Sequence, residues 1–481
     1  MKLEFVNKQS FVSAALRKEF HSRKFSTTPQ VANKLNIGGE EFVSKLLDRR
    51  WALVSPDTKI HQIKVFQHVK LEQAGYFGNI LFRNNPNPLL GDGMLENSND
   101  HASFYVVRDD LLHPLVNGNK ARKLDGLLPL LEDNSVTDVV TCGGCQSAHA
   151  AAVAVSCAER GLTSHLLLRG EQPETATGYG LISMLYGNAT YVPRALYAKR
   201  DTMLASHAEF IAESSGSVVW LSDLFEASFM NHVSKKPISV QTDAPRLSEN
   251  IKKVSIINEG AGDAAGLLGV IRLVHYLSQH HIFGKDQALN IVVDSGTGTT
   301  AVGLGIAALC LGLPWEVTAV MLADTFDGYR NLEQRLVTEF LSCCAFPLSP
   351  EVVNKLNDGI VHWLERRHPR KFGNVLKGEV DTCQQIAQQT GILVDPIYTL
   401  AAWEQSTILS REEVGGAKIV MLHTGGTLGM FGLAQRSSIP GIWYMLTILL
   451  GKDIYKYKCS TEKVFVMVEW DAWPLARLPG K

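Results

Sequence analysis

Short runs of β-branched and aliphatic residues recur along this chain from about residue 100. The runs begin at residues 138, 165, 218, 254, 290, 317 and 418. Stretches long enough for helices lie between most of them, at 148–160, 201–215, 264–282 and 376–390. Continuous Val, Ile and Leu in a strand indicate burial on both faces, which is typical of parallel strands covered by helices. The pattern therefore predicts an α/β fold whose seven or more strands are divided between two lobes.

The predicted lobes are unequal and are built from separate parts of the chain. A large lobe is expected from 85–134 and 256–435, and a small lobe from 135–255. A segment near 223–250, rich in Ser, Lys, Asn and Pro, is interpreted as an inserted surface loop. Residues 437–481 do not continue the alternation of strands and helices, so they are interpreted as an atypical C-terminal tail.

Composition argues against several classes of function. The formal net charge is −1, whereas nucleic-acid binding needs a basic excess. Eight Cys residues are too few for a disulfide scaffold in 481 residues. The longest charge-free apolar run, 295–315, is rich in Gly and Thr and is interpreted as a buried helix after a strand, so no membrane span is predicted. Cys142 and Cys145 form a single CxxC with no second ligand pair, and no metal site is predicted.

Residues 1–34 differ in composition from the rest of the chain. They contain seven Lys or Arg residues against two acidic residues, and Val12, Leu16 and Phe20 share one face of a potential helix. A basic, amphipathic, acid-poor N-terminus is typical of an organellar transit peptide. The segment predicts a mitochondrial location, with a disordered basic tail as the alternative.

The segment 117–124 reads NGNKARKL and is followed by Leu residues at helical spacing. This predicts a helix with Asn119 as the N-cap and Lys120 in the first turn. The helix dipole favours a neutral amine at this end, and Arg122 and Lys123 add positive field. An amine with a lowered pKa is what a lysine needs to form a covalent bond with a carbonyl group. Lys120 is therefore a candidate for covalent catalysis, and an ordinary basic helix start is the alternative.

A glycine-rich turn follows one of the predicted strands, at 292–300 (VVDSGTGTT). Backbone amides and Thr hydroxyls at the start of a helix form a site for an anion. The turn lacks the Lys of a Walker loop and the third Gly of GxGxxG, which argues against nucleotide hydrolysis and dinucleotide binding. A monophosphate ester fits best, and a tight turn without a ligand is the alternative.

Two further loops follow predicted strands. The loop at 143–149 (GGCQSAH) offers backbone amides and polar side chains that suit a substrate carboxylate, and the loop from His423 (HTGGTLGMFG) is flexible and rich in glycine. One cofactor needs an activated lysine, a monophosphate site and a nearby carboxylate site. That cofactor is pyridoxal 5′-phosphate acting on an amino acid.

The order of these motifs, together with GILVDPIYT at 391–399, resembles the D-cysteine desulfhydrase and 1-aminocyclopropane-1-carboxylate deaminase family over about residues 85–433. The resemblance implies a two-lobe, pyridoxal-phosphate-dependent fold of type II, related to the tryptophan synthase β subunit. It also implies a homodimer that acts on a small amino acid.

The resemblance implies a role for each residue that matches the motifs. Lys120 would hold the cofactor covalently, with Lys123 as its basic neighbour. The phosphate would be held by Thr297, Gly298, Thr299 and Thr300. The substrate carboxylate would be held by Gln146, Ser147 and His149. Tyr398 would stand over the cofactor ring, and Thr399 would lie at its ring nitrogen.

Departures from the family pattern distinguish between its two activities. Thr399 replaces the Glu of the deaminases and Phe372 replaces a Tyr, and both changes favour elimination of sulfide. The predicted activity is conversion of D-cysteine to pyruvate, ammonia and hydrogen sulfide, with Lys120 or Ser147 removing the Cα proton and Tyr398 assisting protonation. Ala148 replaces an Asn that bonds the cofactor. Deamination of 1-aminocyclopropane-1-carboxylate and a catalytically drifted homologue that binds the cofactor are the alternatives.

Overall fold

The structure of the chain is a computed structural model that describes residues 32–67, 80–91, 102–233, 251–344, 350–412 and 416–436. Its strands are β1 (Ile60–Gln67), β2 (Ile80–Asn85), β3 (Ser103–Val107), β4 (Asp138–Gly144), β5 (Thr163–Arg169), β6 (Asn188–Val192), β7 (Ser217–Trp220), β8 (Lys253–Ile256), β9 (Leu289–Ser295), β10 (Trp315–Met321), β11 (His362–Glu365) and β12 (Lys418–Leu422).

The helices alternate with these strands over most of the described chain. They are α1 (Ala32–Leu47), α2 (Gly118–Asp133), α3 (Ala148–Ala158), α4 (Gly178–Tyr186), α5 (Arg194–Tyr197), α6 (Arg200–Ala212), α7 (Leu221–Val233), α8 (Leu268–Leu277), α9 (Thr299–Cys310), α10 (Phe326–Cys344), α11 (Pro350–Asp358), α12 (Glu379–Thr390), α13 (Thr399–Arg411) and α14 (Gly429–Arg436).

Seven strands form the first sheet, in the order β11–β10–β9–β12–β3–β1–β2. The strands from β11 to β3 are parallel, whereas β1 is antiparallel to both of its neighbours. The sheet is therefore mixed, where the sequence predicted parallel strands. It also begins at Ile60, before residue 85, at which the large lobe was expected to begin.

Five parallel strands form the second sheet, in the order β6–β5–β4–β8–β7. In β4, Val139, Val140 and Cys142 are fully buried, because helices cover both faces of the sheet. All strands of this sheet lie between Asp138 and Ile256.

Both sheets belong to one compact unit that ends at Gly432. Residues 433–481 form a second unit, of which only 433–436, the end of α14, are described. The division of the first unit into two lobes stays a prediction.

Helix α7 occupies part of the segment that was expected to be an inserted loop. Leu221, Leu224 and Phe225 are at most 5% exposed, and their spacing of three and four residues gives the helix an apolar face. The loop prediction was wrong for this part, and 234–250 lie outside the described residues.

Two other predicted segments also fall outside the described residues. Residues 1–31, which make up most of the predicted transit segment, and the tail at 437–481 are not described. None of the helices in the described ranges combines the length and the apolar composition that a bilayer span requires.

Candidate active site

The site is built where the carboxyl ends of β4, β9 and β12 meet the starts of helices α2, α3 and α9. Carboxyl ends of parallel strands lie at one edge of a sheet, where ligands of α/β proteins commonly bind. The first helix to enter the site, α2, packs its buried Leu124, Leu127, Leu128 and Leu131 into the core, as the sequence predicted.

Helix α2 begins earlier than expected. Its N-cap is Asn117, and the helix starts at Gly118, so the prediction that Asn119 is the N-cap was wrong. Gly118 has a φ of +61°, and a Cβ at this position would lie 1.9 Å from the carbonyl oxygen of Thr424. Only glycine allows the helix to start this close to the loop after β12.

Asn119 connects the start of α2 to two other loops. Its backbone N–H donates to the Thr424 carbonyl oxygen over 3.2 Å, and its side-chain Nδ2 donates to the Thr300 hydroxyl over 3.2 Å. These bonds hold Lys120 between the loop after β12 and the glycine-rich turn.

Lys120 has the lowered pKa that the sequence predicted, although for a different main reason. Burial lowers the pKa of its amine to about 8, against the attraction of Asp294 and Glu259, which raises it. Lys123 donates to the Gly260 carbonyl oxygen over 2.8 Å, and its Nζ lies 3.5 Å from the Thr297 hydroxyl. Burial, and then the neighbouring Lys120, hold the pKa of Lys123 well below its usual value.

Arg122 does not contribute the free positive charge that was expected of it. Its guanidinium donates to both carboxylate oxygens of Asp109, over 2.9 and 2.7 Å, and both residues are fully buried. Its third bond is to the Pro56 carbonyl oxygen over 2.9 Å. The pair anchors α2 to the segment after β3.

The glycine-rich turn joins β9 to α9, as predicted. Gly298 has a φ of +81°, and a Cβ there would lie 2.7 Å from the side chain of Leu332. The Thr297 and Thr299 hydroxyls lie 3.3 Å apart, and Thr299 is fully buried. Because the first amides of a helix have no partner within it, this turn combines unpaired N–H groups with hydroxyls.

The loop after β4 places Ser147 as the N-cap of α3, where its Oγ accepts from the Ala150 N–H over 3.2 Å. Gly143 is required before it, because a Cβ there would lie 2.4 Å from the Ser147 Oγ. The Nε2 of Gln146 donates a hydrogen bond to the Thr177 carbonyl oxygen over 2.9 Å. The Cys145 thiol donates a hydrogen bond from its Sγ to the Arg169 carbonyl oxygen over 3.0 Å, on the solvent-exposed side of the loop.

The tautomer of His149 follows from its neighbours. The Thr141 hydroxyl has one hydrogen, which it donates to the Ile257 carbonyl oxygen over 2.8 Å. It must therefore accept from the Nε2–H of His149, 3.0 Å away, which leaves Nδ1 as an acceptor. Burial, followed by Lys120 and Lys123, holds the pKa of His149 well below its usual value, so the ring is neutral.

The turn that contains Tyr398 and Thr399 is organised by Asp395, which is 3% exposed. The Asp395 carboxylate accepts from the backbone N–H groups of residues 397 to 399 and from the Thr399 hydroxyl over 2.9 Å. The Thr399 hydroxyl in turn accepts from the Asp395 N–H over 2.7 Å. Its hydrogen is thus engaged, and one lone pair remains for another partner.

Tyr398 lies against the glycine-rich turn. A Cβ on Gly296 would lie 3.1 Å from its Cε1 atom, so the Tyr398 ring packs closely on the turn. Phe372 contacts the Tyr398 ring edge-on, with the ring centroids 5.6 Å apart. Burial, and then Asp395, raise the pKa of the Tyr398 phenol, which is therefore protonated at neutral pH.

Sequence reasoning missed two residues of the site. Asp294, at the end of β9, is 4% exposed and accepts from the Thr424 hydroxyl over 2.6 Å. Burial raises the pKa of this carboxyl to about 7. In the sequence, the one indication of this role is the position of Asp294 directly before Ser295 and the glycines of the turn. Tyr179, on α4, is 3% exposed and carries no sequence signal.

The residues present fit pyridoxal phosphate with an amino acid. Polar atoms buried in proteins are rarely left without hydrogen bonds, so orphaned ones indicate a polar ligand. In the described chain, four such atoms belong to the loops, strand ends and helix starts of this site: Gln146 Oε1, His149 Nδ1, the Tyr179 hydroxyl and Ser295 Oγ. An amine of lowered pKa lies among these loops, together with an anion-binding turn.

Comparison with known proteins gives relatives over most of the chain. The chain is 50% identical over 404 residues to "Putative D-cysteine desulfhydrase 2, mitochondrial" of Oryza sativa subsp. japonica, covering 83% of this chain and 96% of that protein. It is 25% identical over 353 residues to "Bifunctional D-cysteine desulfhydrase/1-aminocyclopropane-1-carboxylate deaminase, mitochondrial" of Arabidopsis thaliana, covering 72% and 78% of the two chains.

Among solved structures, an ACC deaminase homologue matches with a TM-score of 0.53 at 23% identity, covering 70% of this chain and 88% of that chain. This likeness confirms the α/β fold that the strand pattern predicted and the type II fold that the family resemblance implied. No family model matches the sequence.

Proposed function

The chain belongs to the D-cysteine desulfhydrase and 1-aminocyclopropane-1-carboxylate deaminase family, and we propose that it is a pyridoxal-phosphate-dependent lyase that releases hydrogen sulfide from D-cysteine. D-cysteine and water give pyruvate, ammonia and hydrogen sulfide. The observation that carries the proposal is the amine of half-buried Lys120, whose pKa is lowered and which Asn119 holds between an anion-binding turn and the loop after β12.

The cofactor-binding residues are assigned from the donors that the site presents. Lys120 would hold the cofactor covalently, and Thr399 would lie at its ring nitrogen, where the lone pair that Asp395 leaves free would accept from the nitrogen in its protonated form. The phosphate would lie on Thr297, Gly298, Thr299 and Thr300. When bound, the cofactor supplies a carbonyl for the substrate amine and a ring that accepts the electrons of the broken Cα–H bond.

The Lys120 amine is the group that removes the Cα proton. With a pKa of about 8, about one amine in ten is neutral at pH 7, compared with about one in three thousand at the ordinary value of 10.5. Ser147 lies on the loop that would hold the substrate and is the second candidate for this proton transfer. Its Oγ accepts from the Ala150 N–H, and its own hydrogen would pass to the neutral Lys120 amine as the oxygen takes the Cα proton.

Different residues act on the thiol and on the carboxylate of the substrate. The Tyr398 phenol is protonated and donates its proton to the sulfur as the Cβ–S bond breaks. Ser147, Gln146 and the amides at the start of α3 would hold the substrate carboxylate. The prediction that His149 also holds it does not fit the structure, because its Nε2–H is used by Thr141 and its Nδ1 is an acceptor.

Phe372 supports elimination of sulfide over deamination of 1-aminocyclopropane-1-carboxylate. It contacts Tyr398 but has no hydroxyl to attack or protonate a ring carbon. Deamination stays the second candidate because the Arabidopsis relative carries both activities in its name. Purified holoenzyme supplied with each compound separates them, since one reaction gives sulfide and the other 2-oxobutanoate. Binding of the cofactor without turnover of either compound would instead indicate a catalytically drifted homologue.

We expect the same sulfide assay on D- and L-cysteine to show preference for the D enantiomer. Equal rates, or faster release from L-cysteine, would contradict the assigned substrate while leaving the cofactor assignment intact.

Location and assembly are part of the proposal. The basic composition of residues 1–34 and the names of both plant relatives support a mitochondrial location. A fluorescent fusion of the full chain tests it against a fusion that lacks these residues. The homodimer rests on family resemblance, and sedimentation of the holoenzyme tests it.

Uptake of the cofactor should depend on pH through the Lys120 amine. Only the neutral amine attacks a carbonyl, so the rate of cofactor incorporation into apoenzyme should rise with pH and level off above about 8. Stopped-flow absorbance after mixing apoenzyme with pyridoxal phosphate measures this rate. A rate that keeps rising to pH 10 would contradict the lowered pKa.

Asp294→Asn should move that pH dependence to lower pH. Asp294 attracts the Lys120 ammonium and raises its pKa, so removing its charge lowers the pKa further. The half-maximal rate of cofactor incorporation should then occur below the wild-type pH. Asp138→Asn is the matched control, because Asp138 is also buried but pairs with His165. An unchanged or raised midpoint in Asp294→Asn would refute this role.

A further inference from the structure

Tyr179 is buried on a helix that exposes its other large apolar side chains apart from Ile182, which is half-buried against the core. On α4, Leu181, Met184 and Leu185 are at least 40% exposed, whereas Tyr179 is 3% exposed. Its ring is therefore turned away from solvent, to the side on which the start of α4 meets the loops of the site.

Two glycines bring the backbone around Tyr179 directly onto those loops. A Cβ on Gly178 would lie 2.7 Å from the Leu428 carbonyl oxygen and 2.8 Å from Gln146 Oε1. A Cβ on Gly180 would lie 3.1 Å from Gln146 Nε2. Tyr179 is thus the side chain that enters between the loop after β4 and the loop after β12.

The Tyr179 hydroxyl has no hydrogen-bond acceptor among the described residues. Burial, and then Asp395, raise the pKa of the phenol, so it carries its proton at neutral pH. The amides of Gly426 and Leu428 lie close to the phenol oxygen, but an N–H group cannot accept its hydrogen. The fold leaves a buried donor unsatisfied, which is unfavourable unless a ligand supplies an acceptor.

Gln146 has a complementary orphan on the same side of the site. Its Nε2 is engaged with the Thr177 carbonyl oxygen, while its Oε1 is buried without a partner among the described residues. An unsatisfied donor and an unsatisfied acceptor next to one segment suit a ligand that presents both kinds of group. An α-amino acid does so with its carboxylate and, as it enters the site before its amine meets the cofactor carbonyl, with its ammonium group.

We infer that Tyr179 is a specificity-determining residue that donates its hydroxyl hydrogen to the substrate carboxylate, beside Gln146 and Ser147. This inference rests on the proposed function for the class of substrate. It adds a donor from α4 to a carboxylate site that otherwise comes from the start of α3. Amino acids would be selected over simple amines because only they satisfy the buried phenol.

Tyr179→Phe tests the inference, because it removes the hydroxyl and keeps the ring. The probes are alanine, which has no leaving group on Cβ, and ethylamine, which lacks the carboxylate. Binding of each to the holoenzyme is measured from the change in visible absorbance, with both alanine enantiomers. We expect Tyr179→Phe to weaken binding of the favoured alanine enantiomer by about tenfold to a hundredfold, since a hydrogen bond to a charged group is lost. Ethylamine binding should change by less than about twofold.

Two control variants separate this contact from damage to the fold. Tyr191→Phe, in β6, removes a half-buried hydroxyl whose partner is the Met184 sulfur and should bind alanine as wild type does. Tyr197→Phe removes a buried hydroxyl that donates to Glu259 over 2.6 Å, so it should lower the melting temperature of the apoenzyme. Tyr179→Phe should lower that temperature less than Tyr197→Phe does, because its hydroxyl donates to no acceptor among the described residues.

The outcomes distinguish this inference from the proposed function. Equal weakening of alanine and ethylamine, unchanged alanine binding, or a fall in melting temperature like that of Tyr197→Phe would overturn the role of Tyr179. Sulfide release by the wild-type holoenzyme would still support the lyase. Selective weakening of alanine in an enzyme that releases no sulfide would uphold Tyr179 and refute the lyase.

Discussion

Lys120→Ala is expected to lower the rate of sulfide release from D-cysteine by at least about a hundredfold, and by as much as about ten-thousandfold, so that release is no longer detectable. The variant loses both the covalent tether and the amine that removes the Cα proton. It should also lose the yellow colour of the purified holoenzyme after dialysis. A sulfide assay and the visible spectrum of the same preparation measure both effects.

The fold should survive this substitution. Burial of the Lys120 amine opposes its charged form, so the side chain adds no favourable buried charge to the folded apoenzyme. The apoenzyme melting temperature should therefore stay the same or rise. Lys199→Ala, at an exposed position before α6, is the matched control and should keep colour and activity. A coloured and active Lys120→Ala enzyme would refute the assignment.

Asp109→Ala should cause the largest loss of stability. The Asp109 carboxylate accepts two hydrogen bonds from Arg122, and both side chains are at most 1% exposed. Removal of one partner leaves a buried charge without compensation, which typically costs about 3–5 kcal/mol. We expect a decrease of that size in the free energy of unfolding of the apoenzyme, measured by urea denaturation.

An exposed ion pair on the same helix provides the control for Asp109→Ala. Asp133 lies at the end of α2 and pairs with Arg50, and both side chains are more than half exposed. Because exposed pairs contribute about 0–1 kcal/mol, Asp133→Ala should have a small effect. Similar losses for the two variants would contradict the account of how α2 is anchored. Since α2 carries Lys120, Asp109→Ala should also retain the cofactor less tightly.

Much of the fold was predictable because its strands are buried on both faces. All seven predicted strands are present, namely β4, β5, β7, β8, β9, β10 and β12. In all of them except β7, a half-buried edge strand, a run of Val, Ile and Leu reports the buried environment directly. Strands β1, β2 and β3 were missed, as were β6 and β11, which lie at sheet edges. In β1, exposed Lys64 lies between buried Ile63 and Val65, so its sequence lacks a continuous apolar run.

Site features that depend on local sequence were likewise predictable, whereas those that depend on distant segments were not. The lowered pKa of Lys120 was predictable from the start of a helix, but its main cause, burial, depends on loops far away in sequence. The partner of Arg122, Asp109, lies thirteen residues upstream and belongs to no motif. The neutral tautomer of His149 depends on Thr141 and on the Ile257 carbonyl oxygen, which only the assembled sheet brings together.

Tyr179 illustrates why the sequence alone underestimates the substrate site. It lies 32 residues after Ser147 in the chain. The glycines on either side of it have meaning only once the fold brings Gln146 and Leu428 into the space that a Cβ at these positions would need. A polar group of this kind is recognisable only by its missing partner.

The central claim is that the Lys120 amine carries the cofactor, and peptide mass spectrometry tests it most directly. The holoenzyme is reduced with borohydride, digested and fragmented, so that the mass of the reduced cofactor is located on one side chain. We expect that mass on Lys120. Its attachment to Lys123 or to any other residue, or its absence from an enzyme that releases sulfide, would contradict the account.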